Sequence, residues 1–161
     1  MEQTLEPLNV GQLLLVIDAC NSGQALEAEE KRRGPMNSKG LAQLAYEKGM
    51  YVLTAAQGYQ AALEATQLGH GFLTYALVEE GLKKGEAATP ASLDGQIVVR
   101  EWFDYAAERV PQMQSERMKQ QGRGLGLVNT GEQSVQRPRL FYRREMDARP
   151  LVVARTEAAR R

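Results

Sequence analysis

The residues best equipped for chemistry stand together at Asp18-Ala19-Cys20-Asn21-Ser22-Gly23. Cys20 is the only cysteine of the chain, and a carboxylate precedes it by two positions. A thiolate attacks a carbonyl carbon well, but it needs a base to take its proton and donors for the oxyanion that forms. Asn21, Ser22 and Gly23 are turn formers, so the Cys20 backbone N–H, at a turn after a strand, is a candidate oxyanion donor. The competing reading is a buried, inert thiol, because free cysteine is among the most buried residue types. The one imidazole of the chain is His70, far downstream between Gly69 and Gly71.

The elements that must position these groups follow from the apolar pattern. Leu13-Leu14-Leu15-Val16-Ile17 runs without a polar break and leads straight into Asp18. That run is too short to cross a membrane and fits a strand covered on both faces. In open α/β sheets, reactive groups sit at the carboxyl ends of such strands. Residues 24–40 carry Glu27, Glu29, Glu30, Lys31, Arg32, Arg33, Gly34 and Pro35, the composition of an exposed loop. Ser38 is placed to cap a helix carrying Leu41, Leu44 and Ala45, with Gly49 as its stop. Tyr51 to Ala56 then reads as a second buried strand. Strand, helix and strand in this spacing form a βαβ unit.

A helix is expected over Phe72–Lys84, with Leu73, Ala76, Leu77 and Leu82 as its stripe, and another over Arg100–Met113, with Trp102, Phe103, Ala106 and Val110 inward. Residues 114–136 read as a polar, glycine-bearing connection. Gly122, Gly124 and Gly126 alternate there, but no strand precedes them, which argues against a phosphate loop. Leu140-Phe141-Tyr142 and Leu151 to Ala154 are short strand candidates. These elements make the fold class α/β, with a mostly parallel sheet and helices on both faces. Residues 1–154 are assigned to one domain and 155–161 to a C-terminal tail.

The 161 residues contain 20 Lys and Arg against 20 Asp and Glu, so net charge gives no pull toward nucleic acid or membrane. Eight arginines lie from Arg137 onward, a basic end that solvation explains. One cysteine rules out an internal disulfide and points to a reducing, cytoplasmic setting. No apolar run has the length of a membrane span, and residues 1–12 lack the blocks of a signal peptide.

The block Asp18 to Gly23 resembles the nucleophile segment of the caspase-like cysteine peptidases, closest to the metacaspases and their bacterial relatives. Val52 to Ala56, Glu64, and Gly69-His70-Gly71-Phe72-Leu73-Thr74-Tyr75-Ala76-Leu77 resemble the next strand and helix of bacterial members. Asp94-Gly95-Gln96-Ile97 with the Trp102 helix and Val110-Pro111 resembles the helix after that, and Gln136-Arg137-Pro138-Arg139-Leu140 resembles the closing segment. The resemblance spans residues from about 8 to about 154 and implies a three-layer caspase-like fold. It implies a cysteine endopeptidase with Cys20 as nucleophile and Asp18 in the S1 pocket, cleaving after Arg or Lys. The alternative role for Asp18 is a cap on the following turn. The partners implied are protein or peptide substrates. No cofactor is required, although calcium activation occurs within the resemblance.

One departure matters. The base histidine of this family lies before the nucleophile, and no His precedes Cys20. The expectation is that the first strands and the catalytic His belong to a missing N-terminal part of the same domain, and that His70 is not the base. Lys31-Arg32-Arg33 is a candidate processing site at Arg33, against the alternative of a solvated charge run. A non-catalytic caspase-like assembly or regulatory module, and an unrelated α/β domain with a structural cysteine, are the competing functional readings.

Overall fold

A computed structural model describes residues 12–20, 38–57, 71–89, 95–125, 136–144 and 148–156. Strand β1, Leu13–Cys20, is followed by helix α1, Ser38–Lys48, and strand β2, Met50–Gln57. Helix α2, Phe72–Tyr75, runs directly into a π-helical segment, Ala76–Lys83. A short strand β3, Gln96–Val98, leads into the long helix α3, Val99–Leu125. Strands β4, Arg139–Phe141, and β5, Val152–Arg155, complete the described elements.

The heart of the fold is the parallel pair β1 and β2, in register from Leu13 opposite Met50 to Cys20 opposite Gln57. β4 joins the other edge of β2 in the antiparallel sense, with Leu53 opposite Leu140. β3 and β5 form a separate antiparallel ribbon, with a register shift between Ile97 and Val98. The α/β class and the helices on both faces agree with the sequence. The expectation of a mostly parallel sheet needs correcting, since β1–β2 is the one parallel pairing among the described strands. β4 has only three residues, and a strand that short leaves no periodicity from which to read its direction.

Alternation along β2 sends Tyr51 and Leu53 to one face and Met50 and Val52 to the other. On the first face they pack with Phe72, Leu73, Ala76, Leu77, Phe103, Ala106 and Val110. On the second they pack with Leu41 and Ala45 of α1, and with Leu13, Leu15 and Ile17 of β1. Met50, Val52 and Leu53 are 0% exposed, so each contributes about 2 kcal/mol of burial. α1 ends as its residues dictate, at Gly49 with φ of 60°, a conformation glycine adopts without strain.

Four elements depart from the expectations. α3 does not stop at Met113 but continues to Leu125, through the stretch read as a polar connection. Gln114, Glu116, Arg117 and Lys119 are good helix formers, and Gln114 is buried where its Oε1 accepts the Gln136 backbone N–H at 2.7 Å. Pro111 is accommodated inside this helix, and its carbonyl accepts the Ser115 hydroxyl at 2.8 Å. The helix expected over 72–84 begins as α but turns to π-helix at Ala76. Its buried stripe continues from Leu73, Ala76 and Leu77 to Glu80 and Gly81, while Leu82 is only half-buried. β3 forms at Gln96–Val98, where no strand was expected and the resemblance pointed to the following helix. The pairing of β5 runs into the segment read as the tail, since Arg155 is in the strand and the Thr156 N–H donates to the Gly95 carbonyl at 2.8 Å.

Candidate functional site

β1 and β2 are parallel, so their carboxyl ends lie side by side, at Cys20 and Gln57. Cys20 is the last residue of β1 and follows Asp18 by one full period of the pleat. The strand therefore carries both positions, where the sequence placed them just beyond it. The amino-terminal end of α2 reaches the same end of the sheet and meets Asp18 there.

That meeting is specific. Gly71 is the N-cap of α2 and has no side chain with which to satisfy the first-turn N–H groups. Asp18 takes the place of the missing cap from across the chain. Its Oδ2 accepts the Thr74 hydroxyl at 2.6 Å and the Thr74 backbone N–H at 3.3 Å. The carboxylate lies across the open side of Gly71. A Cβ at that position would stand 2.5 Å from Oδ2 and 3.1 Å from Cγ, so no side chain fits there while Asp18 holds its place. Asp18 thus caps α2, while the turn that follows it in sequence lies outside the described residues.

The π segment that continues α2 is anchored from the other side. The Trp102 indole N–H donates to the Leu77 carbonyl at 2.8 Å, and Gly81 leaves room for the ring. A Cβ at Gly81 would meet the Ala76 carbonyl at 2.9 Å and Trp102 Cδ1 at 3.1 Å. Beyond it, Glu80 is 6% exposed and holds Arg109 of α3 in a fork, Nε to Oε2 at 2.8 Å and Nη2 to Oε1 at 3.2 Å. Arg109 also reaches Glu116 at 3.0 Å, and the Tyr105 hydroxyl donates to Glu86 at 2.7 Å and to Glu80 at 3.2 Å. The Arg109 hydrogen bond lowers the Glu80 pKa against the opposing pull of burial. The bond to Glu80 likewise raises that of Arg109, and burial, followed by Glu86, raises that of Tyr105. This cluster is a clasp between the π segment and α3.

Of the residues singled out in the sequence, Asp18 and Cys20 are brought to one strand end with Gly71 and Thr74. His70, Arg33, Asn21, Ser22, Gly23 and Glu64 lie outside the described residues. The Asp18–Thr74 contact and the Glu80–Arg109 fork were not foreseen. A buried charge within a helical stripe, as at Glu80, is the signal that could have found the second; nothing local marks Thr74. Among the described residues no three His, Cys, Asp or Glu side chains come together. No described helix is long and apolar enough to cross a membrane. A shallow cleft of about 290 Å³, lined by Tyr51, Arg100, Asp104 and Leu151 among others, lies near the amino-terminal end of the strand pair, remote from Cys20. Compared with known proteins, the chain matches no family model, no curated protein and no solved structure.

Proposed function

We propose that the chain carries the nucleophile half of a caspase-like cysteine endopeptidase site, with Cys20 as nucleophile and Asp18 as the acceptor of a basic P1 side chain. The observation that carries this reading is the placement of Asp18. A half-buried carboxylate, hydrogen-bonded by Thr74, stands two residues before a cysteine at the carboxyl end of a half-buried parallel strand. A carboxylate at that strand end offers the counter-charge for a basic P1 side chain. The three-layer caspase-like architecture is part of the same proposal, supported by the parallel pair and by helices on both of its faces.

In this reading the Cys20 sulfur attacks the carbonyl carbon of the P1 residue and the peptide C–N bond that follows it breaks. An imidazole moves the thiol proton to the leaving amine, and water then releases the acyl group. The substrate is a protein or peptide with Arg or Lys at P1. The test is alkylation of Cys20 by a peptidyl-arginine chloromethyl ketone and by its leucine counterpart, followed by mass spectrometry. Labelling at Cys20 by the arginine reagent, lost in Asp18→Asn, is expected. Equal labelling by both reagents would leave Cys20 as an ordinary thiol and favour a non-catalytic module.

A further inference from the structure

We propose that the π segment is a register device held by Trp102: its wide turns let Thr74 reach Asp18 at one end while Glu80 stays clasped to α3 at the other. The coupling goes beyond the peptidase reading and does not rest on it, since no substrate takes part. It links two contacts on one continuous helix, the Thr74 hydroxyl on Asp18 at 2.6 Å and the Arg109 fork on Glu80.

The helix starts in the α register, where the Tyr75 N–H closes on the Gly71 carbonyl at 2.9 Å. It ends in the π register, where the Lys84 N–H closes on the Glu79 carbonyl, five residues back, at 3.2 Å. A π turn holds more residues than an α turn, so each residue turns the chain through a smaller angle. Across Ala76 to Glu80 the difference accumulates, and an all-α helix fixed at Glu80 would present Thr74 to Asp18 at another angle. π-helices occur mostly as single turns, often at functional sites. This one runs for eight residues, and contacts from outside hold it. The Leu77 carbonyl is where the two registers differ. In an α register it would accept the Gly81 N–H; here it accepts the Trp102 indole N–H at 2.8 Å. Gly81, with no Cβ to meet the Ala76 carbonyl and the ring, lets the indole and the wide turn coexist. Both ends are pinned: Phe72 and Leu73 are buried at the start, and Glu80 accepts three bonds from Arg109 and Tyr105. Packed elements pass between discrete arrangements rather than deforming smoothly, so a helix that slips to α gives up one pinned end. Thr74 supplies two bonds to Asp18 against the three on Glu80, so the Thr74 end yields first.

The experiment is amide hydrogen exchange of the full 161-residue chain by NMR. The Thr74 amide reports the near end of the helix, and the Ala45 and Leu53 amides report the rest of the fold. In Trp102→Phe the Thr74 amide should exchange about tenfold faster relative to Ala45 and Leu53, the equivalent of one lost hydrogen bond. Adding Glu80→Gln should bring that ratio back toward the wild-type value, because the loosened far end then absorbs the change of register. A general loss of stability speeds all three amides together, and a second destabilising substitution speeds them further. If Trp102→Phe does not fold, Gly81→Ala gives the same comparison. A ratio that stays at the wild-type value in the single variant overturns the role of Trp102. A ratio that rises there and is not brought back by Glu80→Gln overturns the coupling between the two ends.

Discussion

Asp18 and Glu80 show how differently two carboxylates are used in one chain. Asp18 is half-buried and takes its hydrogen bonds at a helix start, whereas Glu80 is closed in by a guanidinium, a phenol and Lys84. Glu80 yields a stability prediction with a definite sign. Its pKa is lowered in the folded chain from an ordinary value of 4.5, so folding gains from the charged form. That gain is complete above the unfolded value and is lost as pH falls through the folded value. Glu80→Gln should cost about 2 kcal/mol near neutrality, because Arg109 keeps Glu116 but loses its fork. The gap between wild type and variant should narrow from about pH 5 downward. Urea unfolding at several pH values checks this, and a gap that widens in acid would contradict the assignment.

At the scale of elements, the π segment and β1 each carry a prediction. The π segment is held where Trp102 donates to the Leu77 carbonyl and Gly81 admits the ring. Gly81→Ala inserts a methyl group against backbone and indole and should destabilise by about 2 kcal/mol. Trp102→Phe keeps most of the ring but leaves the carbonyl without that donor, a loss of about 1 kcal/mol. Thermal unfolding of both variants is the measurement, and a neutral Gly81→Ala would mean that the ring has room to move. β1 has the composition of a central strand yet stands at the end of the order of the described strands. Its neighbour β2 has Met50 to Leu53 fully buried, while Leu13, Leu14, Leu15 and Ile17 are half-buried and Val16 is 40% exposed. Such an edge invites pairing with another strand, and natural proteins blunt edges with lysine. Val16→Lys should therefore lower self-association of the chain in sedimentation velocity, with little change in melting temperature. Unchanged association would place the contact elsewhere.

For the whole molecule, the expectation concerns turnover. The 161-residue chain should leave an arginine-containing fluorogenic peptide uncut, because the resemblance calls for a base before the nucleophile and His70 follows it. Hydrolysis that disappears in His70→Ala would show His70 to be the base. Much of this molecule was legible in its residues. The unbroken run Leu13 to Ile17, the second run at Tyr51 to Ala56 and the Gly49 stop determined the βαβ core, because an apolar run of strand length and a glycine at positive φ each leave a local mark, although of the two strands β2 is the buried one and β1 is half-buried. Asp18 and Cys20 stood out beside it: two reactive residue types at the end of an apolar strand. Tertiary structure alone decided the antiparallel arrival of β4, the length of α3, the π register and the partner of Asp18. Each of these depends on a contact between residues distant in sequence. β4 is too short to have a period. Gln114 earns its burial from Gln136, and Glu80 from Arg109. Thr74 looks like any helix residue until the fold sets its hydroxyl against Asp18, 56 positions earlier.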